Sequence, residues 1–207
     1  MLGEDGLSAG IWQALATLLL ASLVIMGSPG PSTISATAVG AAYGFRRSLG
    51  YVGGLVAGTV VVLLTVAVGI VAFLMSVPHG ASVLIAVSVV YILYLSFKIA
   101  TAPPLAERGE AATPAFTGGF LLAIANPKAY LAIAAVFAGT SLFRQAPVLD
   151  AAIKTVLLGA MIVLIHVCWL LAGASLSRFL QNPTISRVVN VGLAAILVIS
   201  TAVALFG

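Results

Sequence analysis

Charge is scarce in this chain. Only 7% of its 207 residues are charged, while 62% are hydrophobic, against about 25% charged in soluble domains. The mean hydropathy of +1.23 excludes a soluble globular domain and places the chain among integral membrane proteins, with the lipid bilayer as its first partner. The net charge is +4, and the nine Lys and Arg are scattered through short connections rather than gathered in a patch, so nucleic acid is not an expected partner. Cysteine is nearly absent. Cys168 alone excludes an internal disulfide, a cysteine metal cluster and a membrane thiol–disulfide conduit, which needs paired thiols. An early basic residue is also missing: Glu4 and Asp5 stand where a cleaved signal peptide carries Lys or Arg, so the first apolar run is expected to stay as a membrane segment. His166, Cys168 and four scattered Met make a poor ligand set without a carboxylate. No metal or other cofactor is called for, and nothing points to an enzyme.

What is there is a series of apolar runs. A spanning helix needs about 20 such residues, and six runs qualify: 9–43 with an interruption at 27–31, 49–75, 81–100, 116–143 with a break at 126–127, 152–176, and 185–206. The first would reach roughly 52 Å as one straight helix, against a hydrocarbon core of about 30 Å, so the chain must bend or re-enter at Pro29–Pro31. The one long polar connection, 101–115, reads as a linker between halves 1–100 and 116–207. At an offset of 98, Pro29 falls on Pro127 and Phe45–Arg46 on Phe143–Arg144. Three spans per half invert the second half in the membrane. The expected architecture is therefore an all-α membrane protein of six transmembrane helices, as two inverted three-helix repeats with broken first and fourth helices, the pattern of a secondary transporter. Arg46, Arg47, Lys98, Arg108, Arg178 and Arg187 fall on one side, and Arg144 and Lys154 on the other. This bias puts loops 1, 3 and 5 in the cytoplasm and both termini outside. Tyr91, Tyr94 and Phe97 near Lys98 read as an interfacial aromatic belt. The sequence leaves a homodimer open.

The breaks carry the chemistry. In hydrocarbon every backbone polar group needs a partner, and Pro29, Pro31 and Pro127 remove donors and free upstream carbonyls. Amides after a break suit a carboxylate, and carbonyls before it suit an ammonium or a cation. Two opposed breaks can thus hold a zwitterion, whereas a single break is more often a simple proline kink. Lys128, placed deep in a membrane segment at a cost of roughly 2.5–3.5 kcal/mol, needs a partner: a substrate carboxylate, carbonyls freed by a break, or water. Snorkelling to the interface is the other reading. Asn126 beside it offers donors and acceptors. His166, in IVLIHVCWLL, titrates near neutrality in its ordinary state and is a proton-relay candidate, with a hydrogen bond between helices as the alternative. Cys168 is expected to pack. Thr59, Thr33, Ser35 and Thr37 could supply hydroxyls to a cavity or simply pack. Gly50, Gly54 and Gly58, like Gly40 and Gly44, are expected to let backbones approach closely.

With these residues assembled, the chain resembles the LysE/RhtB family of amino-acid exporters over nearly its whole length. SPGPSTISATAVGAAYGFRRSLGYVGGLVAGT is similar to that family's Pro-Gly-Pro segment, basic corner and glycine-rich second helix; VYILYLSFK is similar to its third-helix signature, and GGFLLAIANPKA to its Asn-Pro-Lys segment. The resemblance implies export of amino acids or their derivatives, driven by the proton gradient, with Pro29, Gly30, Pro31, Asn126, Pro127 and Lys128 lining or shaping the route. Two departures bear on substrate. Family members often carry an Asp near the position of Thr59, and many carry one near His166. No Asp or Glu lies in the six runs, so a neutral substrate is expected and His166 is the remaining proton carrier.

Overall fold

A computed structural model describes residues 4–69, 114–176 and 183–206, with isolated helical positions between 86 and 101. Every regular element among them is helical. Helix α1, Glu4–Ala21, runs into a π-helical turn, Ser22–Met26. α2 spans Pro31–Ala67, α3 Phe116–Ile124, α4 Pro127–Gly139, α5 Pro147–Leu176 and α6 Pro183–Phe206. By length and composition α2 and α5 can each cross a membrane, and α3 with α4, bent by 61°, forms a broken span or a re-entrant loop. The third run, most of the 101–115 linker, and Tyr91, Tyr94, Lys98, Arg108 and Arg178 lie outside the described residues; Phe97 is exposed.

Both breaks fall where the prolines place them. Proline fits the first turn of a helix, where its missing N–H is not required, and Pro31 and Pro127 each open a helix there. Pro31, rather than Pro29, is thus the residue that opens a helix as Pro127 does. The stretch from Pro31 to the kink at Gly44 has the same length as that from Pro127 to the helix end at Thr140. At Gly44 the backbone adopts φ 74°, which only glycine takes up readily, and α2 turns there without losing its helical continuation. The Ser48 hydroxyl is shared between the carbonyls of Val39 and Gly44, at 3.0 and 2.6 Å, across this corner.

Three boundaries differ from expectation. The helix of the second span ends at Ala67, where Gly69 takes φ 77°, and positions 70–75 of that run lie outside the described residues. The fourth stops at Gly139, followed by a non-helical connection to Ala146. The fifth begins at Pro147, five residues early, and so includes Asp150. The fifth helix thus carries a carboxylate in its first turn, outside the run read from the sequence.

The core forms around α2, which packs mainly against α5 and α3. One cluster joins Ile34, Val39, Tyr51, Leu55, Leu122 and Leu170; a second joins Leu18, Val62, Leu63, Ile133, Leu158 and Ile162. Glycines set the spacing. A Cβ on Gly54 would fall on the Phe116 carbonyl, one on Gly119 on that of Tyr51, and one on Gly173 on that of Thr37. Gly58 and Gly40 are equally close to Phe120 and Leu170. Gly50 and Gly44 meet nothing within 4 Å among the described residues, and Gly44 takes a left-handed backbone conformation. Cys168 is exposed, not packed.

Candidate functional site

The first break runs through Gly27–Gly30. Its loose carbonyls are taken up by the second break: Lys128 Nζ donates to Ser28 O at 2.5 Å and to Pro29 O at 2.9 Å. The Trp169 indole, on α5, donates to Gly27 O at 3.1 Å. Of the partners open to Lys128, the carbonyls freed by a break are the ones it meets. Gly30 makes room for it, since a Cβ there would lie 2.6 Å from Lys128 Cδ. Thr33 Oγ1 closes the start of α2, accepting from Gly30 N at 2.9 Å.

The second break, Ala125–Asn126, is closed by the side chain of Asn126. Its Oδ1 accepts from Lys128 N at 3.2 Å, capping α4, while its Nδ2 donates to Ser32 Oγ at 2.9 Å. One amide therefore caps one half-helix and ties it to the first turn of the other. A buried amide leaves few polar atoms unpaired in this way, as burial demands.

Between the two breaks and the middle of α5 lies a cavity of about 40 Å³, lined by Gly30, Ser32, Thr33, Thr59, Asn126, Lys128 and His166 with an apolar wall of Met26, Ala129, Ala132, Ile133, Ile162 and Ile165. It has room for a few water molecules. Thr59 Oγ1 donates to Leu55 O at 2.8 Å. His166 is buried; its Nδ1 lies 2.8 Å from Ile162 O, and its Nε2 has no protein partner among the described residues. A carbonyl only accepts, so Nδ1 carries the proton and Nε2 keeps a lone pair.

Of the residues singled out from sequence, Gly30, Thr33, Thr59, Asn126, Lys128 and His166 share this cavity. Pro29, Pro31, Thr37 and Pro127 do not line it. Pro29 is exposed, Pro31 and Pro127 are buried helix starts, and Thr37 donates to Thr33 O at 3.0 Å while facing Trp169 O. Ser32 and Trp169 were missed. Ser32 had a signal, since it follows the proline of a break; Trp169 had none beyond being aromatic.

A second polar cluster lies at the far end of α4. Asp150 and Lys154, one turn apart on α5 and both buried, pair at 2.7 Å. Asp150 Oδ1 accepts from the amides of Leu142 and Phe143, and Lys154 Nζ donates to Phe137 O at 2.7 Å and Thr140 O at 3.0 Å. The pair is satisfied on every side and stitches the 140–146 connection to α5. Lys128 is thus not the only lysine held inside the helical bundle. Among the described residues no three His, Cys, Asp or Glu side chains come together to hold a metal ion.

Comparison with known proteins points one way. Residues 7–206 match the family of LysE type translocators. Relatives named cysteine/O-acetylserine efflux protein include one from Salmonella choleraesuis (strain SC-B67), 35% identical over 86% of this chain and 90% of its own length. Another, from Escherichia coli (strain K12), is 31% identical over 86% and 90%. No solved structure matches. With apolar spans, two broken helices and a polar cavity between them, the chain belongs to the LysE family of membrane translocators and is a transporter, not an enzyme.

Proposed function

We propose that this protein exports small, neutral, zwitterionic amino acids or their derivatives across the cytoplasmic membrane, in exchange for protons. The observation that carries this reading is the cavity between the breaks: among the described residues its lining holds one ammonium, from Lys128, and no carboxylate. A substrate carboxylate is matched there by Lys128, Asn126 and the first amides of α2. A cationic side chain would meet Lys128 with no counter-charge, at a cost that rises as water is excluded. The substrates named for the relatives, cysteine and O-acetylserine, have the expected size and charge. At about 40 Å³ the cavity admits such a molecule only after the helices part, as alternating access requires.

The proposed route uses Gly30, Thr33, Thr59, Asn126 and Lys128 as lining. Pro29, Pro31 and Pro127 shape it through the breaks, Thr37 supports it, and His166 relays the proton. Around it we place six spans in two inverted repeats, 1–100 and 116–207 joined by 101–115, with both termini outside. The test is flux in vesicles loaded with a panel of labelled amino acids under an imposed pH gradient. Cysteine and O-acetylserine should leave faster when the gradient is present, and lysine should not move. Gradient-independent leakage of the whole panel would overturn the reading.

A further inference from the structure

The mechanism above uses His166 only as a carrier of protons. Its geometry says more. Nδ1 is committed to Ile162 O, so in the neutral ring Nε2 can only accept. A buried acceptor with no protein donor among the described residues is costly to leave unpaired, and His166 is one of the residues lining the cavity. Thr59 Oγ1 has spent its hydrogen on Leu55 O and presents lone pairs as well. Other lining groups donate: Lys128 keeps a third N–H beyond those given to Ser28 and Pro29, and Asn126 Nδ2 keeps one beyond that given to Ser32. The cavity lining therefore offers both donors and acceptors.

We propose that His166 Nε2 accepts the α-ammonium group of the transported amino acid, so that substrate and proton occupy this one nitrogen in turn. The proposal rests on the export reading above and deepens it. A proton arriving at Nε2 converts the ring to an imidazolium, replaces the acceptor with a donor, and sets a positive charge against the ammonium; the substrate leaves. Loss of that proton restores the lone pair for the next substrate. Among the described residues the groups that face His166 across the cavity are few. α4 contributes Lys128, α2 contributes only the hydroxyls of Ser32, Thr33 and Thr59, the π-helical turn contributes Met26, and α1 contributes nothing to the cavity. The exchange of one proton for one amino acid follows from exclusion at a single atom, with no carboxylate needed.

The experiment compares two isomers on the purified full chain in lipid nanodiscs: O-acetyl-L-serine, which has a free ammonium, and N-acetyl-L-serine, which has the same carboxylate and acetyl group but no ammonium. O-acetyl-L-serine should bind at about pH 7.5 and lose affinity about tenfold per pH unit once the imidazole is protonated. N-acetyl-L-serine should not bind detectably. His166→Gln, which keeps an acceptor but does not titrate, should bind O-acetyl-L-serine several-fold more weakly with no slope between about pH 5 and 7.5. Equal binding of the isomers to the unaltered protein would overturn the ammonium contact while leaving export standing. A flat pH profile in the unaltered protein would overturn the exclusion. Binding of neither isomer would overturn the proposal, and with it the export reading if the vesicles also moved no amino acid. The isomer comparison needs no variant and so survives a folding defect in His166→Gln.

Discussion

Lys128→Met removes an ammonium that holds two carbonyls of the opposite break. Each hydrogen bond from a charged donor is worth about 1.5–3 kcal/mol, and both Ser28 O and Pro29 O lose theirs. Against this, removing a charge from a membrane helix returns roughly 2.5–3.5 kcal/mol. The net loss is about 0.5–2.5 kcal/mol, or a fall in Tm of about 1–10 °C for a chain of this length. Flux should fall further, by about 10- to 150-fold in apparent affinity, because the third N–H no longer meets the substrate carboxylate. Lys128→Arg keeps the charge but needs more room than Gly30 leaves, so partial activity is expected. The contact can be isolated in a cycle. Gly30→Ala drives a Cβ against Lys128 Cδ, and this clash vanishes in Gly30→Ala/Lys128→Ala, so the double variant should be more stable than the sum of the single losses implies. The assay is melting temperature and flux measured on the same purified preparations. Unchanged Tm and unchanged flux in Lys128→Met would refute the bridging role, and strict additivity in the cycle would refute the contact with Gly30.

Asp150→Asn should cost about 3–5 kcal/mol by leaving the buried Lys154 ammonium without its carboxylate, and Asp150→Asn/Lys154→Met should recover part of that; thermal melting of both decides it. Asn126→Ala loses a helix cap and the tie to Ser32, about 1–2 kcal/mol, while Ser32→Ala loses the tie alone and should cost about half as much. A reporter fused to the C-terminus should be active only in the periplasm, and cytoplasmic activity would invert the proposed topology.

The position of each break was legible because proline states it directly: Pro31 and Pro127 open helices wherever they occur in an apolar run. What fills a break was not. That Lys128 reaches across to Ser28 and Pro29 depends on the distance between segments about a hundred residues apart, which no local pattern encodes. Asp150 and Lys154 misled for a related reason. Charges near the end of an apolar run look like a loop, and only the fold reveals that they satisfy each other and the 140–146 connection. Gly44 and Gly50 fit a small-residue pattern as well as Gly54 and Gly58 do, yet among the described residues only the last two face another backbone. Spacing places a glycine on a face without saying what lies opposite. His166 was visible as an isolated titratable group, but its tautomer comes from Ile162 O and belongs to the structure.

The glycines at 40 and 173 have a mechanical consequence. There α2 and α5 approach main chain to main chain, Gly40 against the Leu170 carbonyl and Gly173 against that of Thr37, with the Leu170 side chain packed beside Gly40. The distance between the helices at these points is fixed by the missing Cβ atoms, which makes the contact a tight bearing. The contact flanks Trp169, whose indole holds Gly27 at the first break, so a swivel of α5 at this fulcrum would tug directly on the interrupted segment. Filling the bearing with one methyl group, at either glycine, should leave the transporter jammed before it leaves it unfolded.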